Sequence, residues 1–296
     1  MALLDIIKYN NVPKVILRYI IMNFLDLASI KKLLLTVKEM NILDDFSKIF
    51  LVRASDGFIW NCRAGNLDIA KWIYSFDCVD IHADKEGAFR WACHNGRLDV
   101  AQWLYSLDNI DIHTNNEDAF RWSCSNGHLN VAQWLYSLGY INIHADNENA
   151  FRWSCAEGHL DVAQWLYFLG NINIHANNEF AFTMSCSTNH LDVAQWLYFL
   201  GVDIHVDDDV AFIMSCKSGH LEIAQWLYSL GNGNIDIHAK NEYVFRWSCK
   251  NGHLNVAQWL YYLGNVNIHI DNEYALKWSH KNNHTNVTQW LNSLKI

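Results

Sequence analysis

The chain has 296 residues, is 51% apolar and carries a formal net charge of −9. That is ample material for a core, but the charge has the wrong sign for a phosphate-binding stripe, so nucleic acid is excluded as a partner. Met1 to Asn10 lacks the basic start and apolar core of a signal peptide, and the longest apolar run, Val15 to Leu27, is broken by Arg18, Asn23 and Asp26. It falls short of the ~20 residues of a membrane span, so a secreted or membrane-embedded protein is not expected.

In chain order, the first predicted element runs from Pro13 to Asp26 as an apolar helix. A second starts near Ala28, with Ile30, Leu33, Leu34 and Val37 at helical spacing, and a third covers Ile42 to Phe50. Residues 1–51 hold seven Lys/Arg and five Asp/Glu; the other 15 basic and 26 acidic residues lie beyond them. This reads as a small N-terminal helical unit, too small to be very stable alone.

From residue 52 to 296 one unit recurs. The tryptophan of its Ala-Gln-Trp-Leu segment falls at Trp72, Trp103, Trp134, Trp165, Trp196, Trp226, Trp259 and Trp290, at intervals of 31, 31, 31, 31, 30, 33 and 31 residues. Cys62, Cys93, Cys124, Cys155, Cys186, Cys216 and Cys249 keep the same beat, with His280 in the eighth copy. A fixed period of this length means stacked supersecondary units. Within one copy, Leu129, Ala132, Leu135 and Leu138, with Val131 and Trp134 beside them, give an amphipathic second helix. The first helix, around Ala119 to Cys124, ends where Gly127 can turn left-handed. The connector after Gly139 alternates Ile141 and Ile143 as an extended loop, with Asp146 or Asn147 to cap the next helix. Neither helix can seal its apolar stripe alone, so the copies must stack.

The fold class expected is therefore all-α: about eight helix-turn-helix repeats of ~31 residues with short extended loops, behind a small N-terminal helical unit. The eighth copy reads as a lid, because His280, Thr285, Thr288 and Asn292 replace Cys, Leu, Ala and Tyr.

The segment NGHLNVAQWLYSLG, residues 126–139, resembles the ankyrin-repeat signature, roughly NGHLEVVKLLLEAG, and FRWSC at 120–124 lies where that family has LHLAA. The resemblance covers about residues 55 to 296. The Thr-Pro that opens the ankyrin first helix is missing, the one proline being Pro13, and the hairpin lacks its Asp-Gly tip. The wording AQWLY and INIHADNE looks most like the ankyrin-repeat proteins of giant DNA viruses, which would place the chain in a host-cell cytoplasm. What the resemblance implies is a non-enzymatic, monomeric scaffold that binds a protein partner, with no cofactor. Residues 12–38 resemble an F-box through Val12-Pro13, Ile16-Leu17, Ile20, Leu25-Asp26, Leu33-Leu34 and Val37-Thr-Lys38. By that resemblance Pro13, Ile16, Leu17, Leu25, Leu33 and Val37 would dock a Skp1-like adaptor of a ubiquitin ligase. The alternative is that these helices only cap the solenoid.

Partner residues are sought where the copies vary. The position before the Ala-Phe pair runs Gly87, Asp118, Asn149, Phe180, Val210, Tyr243, Tyr274, and the position after it Arg90, Arg121, Arg152, Thr183, Ile213, Arg246, Lys277. The candidates are Arg90, Arg121, Arg152, Phe180, Val210, Tyr243, Arg246 and Tyr274, since exposed aromatics and arginines carry interface energy. Against this stands packing of Phe180 and Tyr243 on neighbouring loops, with the arginines paired to Glu117 and Glu148. Both tryptophan columns, the second-helix one and Trp60, Trp91, Trp122, Trp153, Trp247 and Trp278, are expected in the core rather than as a base-stacking platform. The cysteines read as small, reduced core residues of a cytosolic protein. The histidines recur once per period instead of converging, so loop hydrogen bonding is expected and no metal site. No nucleophile-base-orienter set appears, and no catalytic residue is assigned.

Overall fold

The computed structural model describes residues 57–75, 79–231 and 233–294. Pro13, Ile16, Leu17, Leu25, Leu33 and Val37, with the rest of the expected 1–51 unit, lie outside the described residues. Residues 57–64 are helical, followed by α1 (Leu67–Tyr74). Seven helix pairs then follow: α2 (Ala83–His94) with α3 (Leu98–Tyr105), α4 (Thr114–Ser125) with α5 (Leu129–Ser137), α6 (Ala145–Ala156) with α7 (Leu160–Leu169), α8 (Ala176–Ser187) with α9 (Leu191–Leu200), α10 (Val206–Ser218) with α11 (Leu221–Leu230), α12 (Ala239–Lys250) with α13 (Leu254–Leu263), and α14 (Ile270–Lys281) with α15 (Thr285–Ser293). Among the described residues there is no strand, and the expected all-helical repeat is what the chain forms.

Two units are distinguished. In the first, which holds residues 57, 58, 69–75, 79 and 80 of the described chain, Phe58 lies against Tyr74 with ring centroids 6.5 Å apart and Ala70 is buried. The second, residues 59–68 with 81–296, is the helix array. In it each even-numbered helix packs on its own odd-numbered partner and on the next even-numbered helix.

The core follows from the repeated wording. Val131, Ala132 and Leu135 of α5 and Ala119, Phe120 and Cys124 of α4 are fully buried, and their equivalents repeat this along the array. The first helix stops as expected: Gly127 has φ 74°, and its successor His128 sends its N–H back to the Ser123 carbonyl at 2.8 Å. Glycine is needed there for a second reason, because a Cβ at Gly127 would stand 2.5 Å from the His159 ring of the next copy.

The second-helix tryptophans glue successive copies together. Trp134 sits 6.1 Å from Phe89 and edge-on to Tyr105 at 5.8 Å, both in the preceding copy, and Trp259 repeats this with Phe212 and Tyr228. Such pairs add about 0.5–1.5 kcal/mol each beyond area burial. The ring is half-buried rather than sealed, because its outer edge lies at the helix surface.

One local feature departs from the sequence reading. Asp146 and Asn147 do not cap α6. His144 precedes the helix, and Asp146, Asn147 and Glu148 take left-handed conformations with φ 55°, 55° and 61°. The same three-residue left-handed turn opens every even-numbered helix from α2 to α14, with φ between 49° and 64°. Non-glycine residues in this region cost roughly 1–2 kcal/mol each, less for Asn and Asp, and most of these positions are Asn or Asp.

Candidate functional site

The left-handed turns need compensation, and the side chains that supply it are those the sequence offered for binding. Arg90 donates from Nε to the Lys85 carbonyl at 2.8 Å and from Nη2 to the Asp84 carbonyl at 2.8 Å. Arg121, Arg152 and Arg246 repeat this on Asn116 and Asn115, Asn147 and Asp146, and Asn241 and Lys240. Each guanidinium thus sits on two carbonyls that the left-handed turn points outward. Arg90 and Arg152 are buried. The outer nitrogens reach the next copy: Arg90 to Asp118 at 3.0 Å, Arg121 to Asp146 at 3.1 Å, and Arg246 to Asp271.

Arg90, Arg121 and Arg246 are therefore paired with aspartates, not with Glu117 and Glu148. Those glutamates are buried and engaged elsewhere. Glu117 Oε1 accepts from His113 Nδ1 at 2.9 Å and from the Asn142 N–H of the next copy at 3.3 Å. Glu86, Glu148, Glu179 and Glu242 make the same two-ended link, to Asp111, Asn173, Asp203 and Asn267. The histidine column is accounted for by this, and the expected loop hydrogen bonding is what it does. No motif within one copy contains this link, because its donor end, the Asn142 N–H, lies 25 residues downstream of the glutamate.

The first-helix tryptophans depart from the core assignment. Trp60 is 62% and Trp153 36% exposed, and Trp91, Trp122, Trp247 and Trp278 are half-buried. Phe89, Phe120 and their equivalents already fill the space between paired helices, which turns the indoles two residues on to the opposite face. There they form a row: Trp91 and Trp122 stand 5.6 Å apart, with His94 at 5.1 Å from each. Cations lie over the rings: Arg63 over Trp91 at 4.5 Å, Arg90 over Trp122 at 5.7 Å, and Lys250 over Trp247 at 3.8 Å and Trp278 at 4.7 Å. A sequence signal that finds three of the six is a Lys or Arg three residues after the tryptophan: Arg63 after Trp60, Lys250 after Trp247 and Lys281 after Trp278.

The variable aromatics extend this row. Phe180 lies edge-on to Trp153 at 5.4 Å under the Arg152 guanidinium at 5.0 Å. Tyr243 stands 5.7 Å from Trp247, and Tyr274 stands 5.8 Å from Trp278 under Arg246 at 4.9 Å. Phe180, Val210, Tyr243 and Tyr274 are all half-buried. Two clefts open on this face. One of about 310 Å³ lies among Arg121, Trp122, Asn149 and Trp153, and one of about 260 Å³ lies between α10 and α12.

Two stretches of the array are similar to a known repeat family. Residues 89–136 and 209–261 match the family model for ankyrin repeats (many copies). No curated protein matches the chain. Ankyrin repeats are a protein–protein interaction scaffold, and the matched stretches contain Arg90, Arg121, Trp91 and Trp122 at one end and Tyr243, Arg246 and Trp247 at the other.

Along the repeat copies the cysteines are buried, and His94, His128 and His253 are half-buried. Cys62, Cys93, Cys124, Cys155, Cys186, Cys216 and Cys249 are free and buried, and burial pushes their thiols up, Cys62 to about 12. They are unreactive core atoms. Burial pushes His94, His128 and His253 below the ordinary imidazole range, with Arg63 adding to this at His94. The hydrogen bond to Glu86 raises His82. Among the described residues no group of three His, Cys, Asp or Glu side chains is placed to hold a metal, and no helix is long and apolar enough to cross a membrane.

Proposed function

We propose that the chain is a non-enzymatic scaffold that holds a protein partner along the first-helix face, from Trp60 through Trp91, Trp122 and Trp153 to Phe180, Val210, Tyr243 and Tyr274. The supporting observation is the row of incompletely covered indoles on helices whose other faces are sealed. Large aromatics with cations beside them are the side chains that dominate interfaces. Arg90, Arg121, Arg152 and Arg246 serve this surface by holding the turns and by presenting guanidinium faces to Trp122, Phe180 and Tyr274.

The test is partner capture by the full chain, with Trp122→Ala and Trp153→Ala combined against Asp161→Ala on the exposed side of α7. The expected outcome is that captured proteins are lost with the tryptophans and retained with Asp161→Ala; equal capture by all three proteins removes the assignment.

A second reading makes the scaffold a substrate receptor, with Pro13, Ile16, Leu17, Leu25, Leu33 and Val37 docking a Skp1-like adaptor. It is favoured by the pattern in residues 12–38, and the plain scaffold is the alternative. Full-length chain with Leu17→Glu and Val37→Glu should lose binding to purified adaptor; no binding by the wild-type chain leaves the plain scaffold. The free cysteines favour an intracellular chain, and the repeat wording favours a viral chain acting in host cytoplasm.

A further inference from the structure

Copies five and six lack the arginine that holds the left-handed turn in copies two, three, four and seven, having Thr183 and Ile213 instead. The consequence is largest between α10 and α12. Ile213 brings no donor to the carbonyls of Asp207 and Asp208, which correspond to those that Arg90 and Arg152 hold. Asp209 replaces the glutamate one methylene longer; it keeps its bond to His205 at 2.6 Å, but no bond to the Asp236 N–H accompanies it. This seam is the most open between first helices, and it holds the 260 Å³ cleft lined by Asp208, Phe212, Ile213, Asp236, Lys240 and Tyr243.

The other seams show what such a place accepts. The residue equivalent to Tyr243 receives the preceding copy's guanidinium in three of them: Asp118 from Arg90 at 3.0 Å, Phe180 from Arg152 at 5.0 Å, and Tyr274 from Arg246 at 4.9 Å. Tyr243 presents the same ring in the one seam where the preceding copy offers isoleucine. The rim carries Asp208, Asp209 and Asp236 against Lys240, paired with Asp208 at 3.1 Å, and Lys217, which sits between Tyr243 and Trp247. The charge there is net negative.

We propose that this cleft is an arginine seat filled in trans: a guanidinium from the bound protein takes the carbonyls of Asp207 and Asp208 and stacks on Tyr243. The seat rests on the reading of the chain as a partner-binding scaffold and assigns the partner an exposed arginine. A planar five-donor fork fits two carbonyls and a ring face, where an ammonium is a point charge.

The test titrates the full chain with agmatine, a guanidinium and an ammonium joined by a four-carbon stem, and with putrescine, the diamine of the same stem and charge, following the Ile213 methyl resonances. Agmatine should shift them and bind about tenfold or more tighter than putrescine, given the bidentate geometry. Ile213→Arg, which fills the seat in cis, should abolish the response, and Tyr243→Leu should weaken it even where the arginine variant folds poorly. Agmatine and putrescine binding alike, or agmatine binding undiminished in Ile213→Arg, overturns the seat. Protein capture that depends on Trp122 and Trp153 while agmatine leaves the Ile213 methyls unmoved overturns the seat and leaves the scaffold reading standing. Agmatine binding as expected alongside capture that ignores the tryptophans supports the seat and removes the tryptophan surface.

Discussion

The seam between α2 and α4 and the seam between α10 and α12 are built from the same two layers, and they differ in only one. Both carry the inner aromatic trio: Phe89, Tyr105 and Trp134 in the first, Phe212, Tyr228 and Trp259 in the second. The first also has an outer latch, with Glu86 reaching Asp111 and Arg90 reaching Asp118. The second has Asp209 and Ile213 in those places and a cleft between the helices. Stacking is therefore supplied by apolar packing, while the polar latch decides how tightly the first-helix edge closes. A scaffold can open one seam without losing its array.

The comparison can be broken most forcefully at the shared layer. Trp134→Ala and Trp259→Ala should each cost ~3–5 kcal/mol in urea denaturation, since both remove a large ring from an interface of the same design. A large difference between the two would mean that the aromatic layer is not equivalent.

The latch should then separate the seams. Glu117→Ala removes a charged acceptor serving His113 and the Asn142 N–H and should cost about 1.5–3 kcal/mol. Asp209→Ala, which lacks the cross-copy bond, should cost less than half of that in the same measurement. Equal losses would show that the cross-copy bond contributes nothing.

Gly127→Ala tests the junction behind both layers. It combines φ 74° with a Cβ 2.5 Å from the His159 ring. The strained backbone alone should cost roughly 1–2 kcal/mol, read as a lowered melting temperature. Repair is a smaller effect: Ile213→Arg should stabilise the chain by about 0.5–1.5 kcal/mol by restoring bonds to two carbonyls.

The smallest expected effect is the pH dependence. His94, His128 and His253 have folded values below the ordinary 6.5, so the folded chain binds fewer protons than the unfolded one. Their contribution is complete above about pH 6.5 and is lost as pH falls below it. His82, raised by Glu86, acts oppositely: its contribution is present below 6.5 and is lost as pH rises through its folded value. With three half-buried rings against one exposed ring, melting temperature should fall modestly from pH 7.5 to pH 5.

Much of this architecture was readable in advance. The 31-residue beat, the apolar stripe of Val131, Ala132 and Leu135, the buried cysteines and the left-handed Gly127 all rest on spacing and residue type within one copy. The roles of Arg90 and Glu117 were not readable, because each depends on an atom a copy away or on the sign of φ in the turn between. Asp146 and Asn147 looked like caps because their side chains suit that task. The same short polar side chains also tolerate the left-handed region, and only the surrounding bonds choose between the two.

Periodicity settles that helices form and that they stack, since an apolar stripe of fixed period has nowhere to go but against its neighbour. Which indole column bridges successive copies and which lies along the outer face of the first helices was decided by assembly, once Phe89 and its equivalents had taken the space between paired helices. A column in a sequence has a spacing but no direction, and only neighbouring copies give it one.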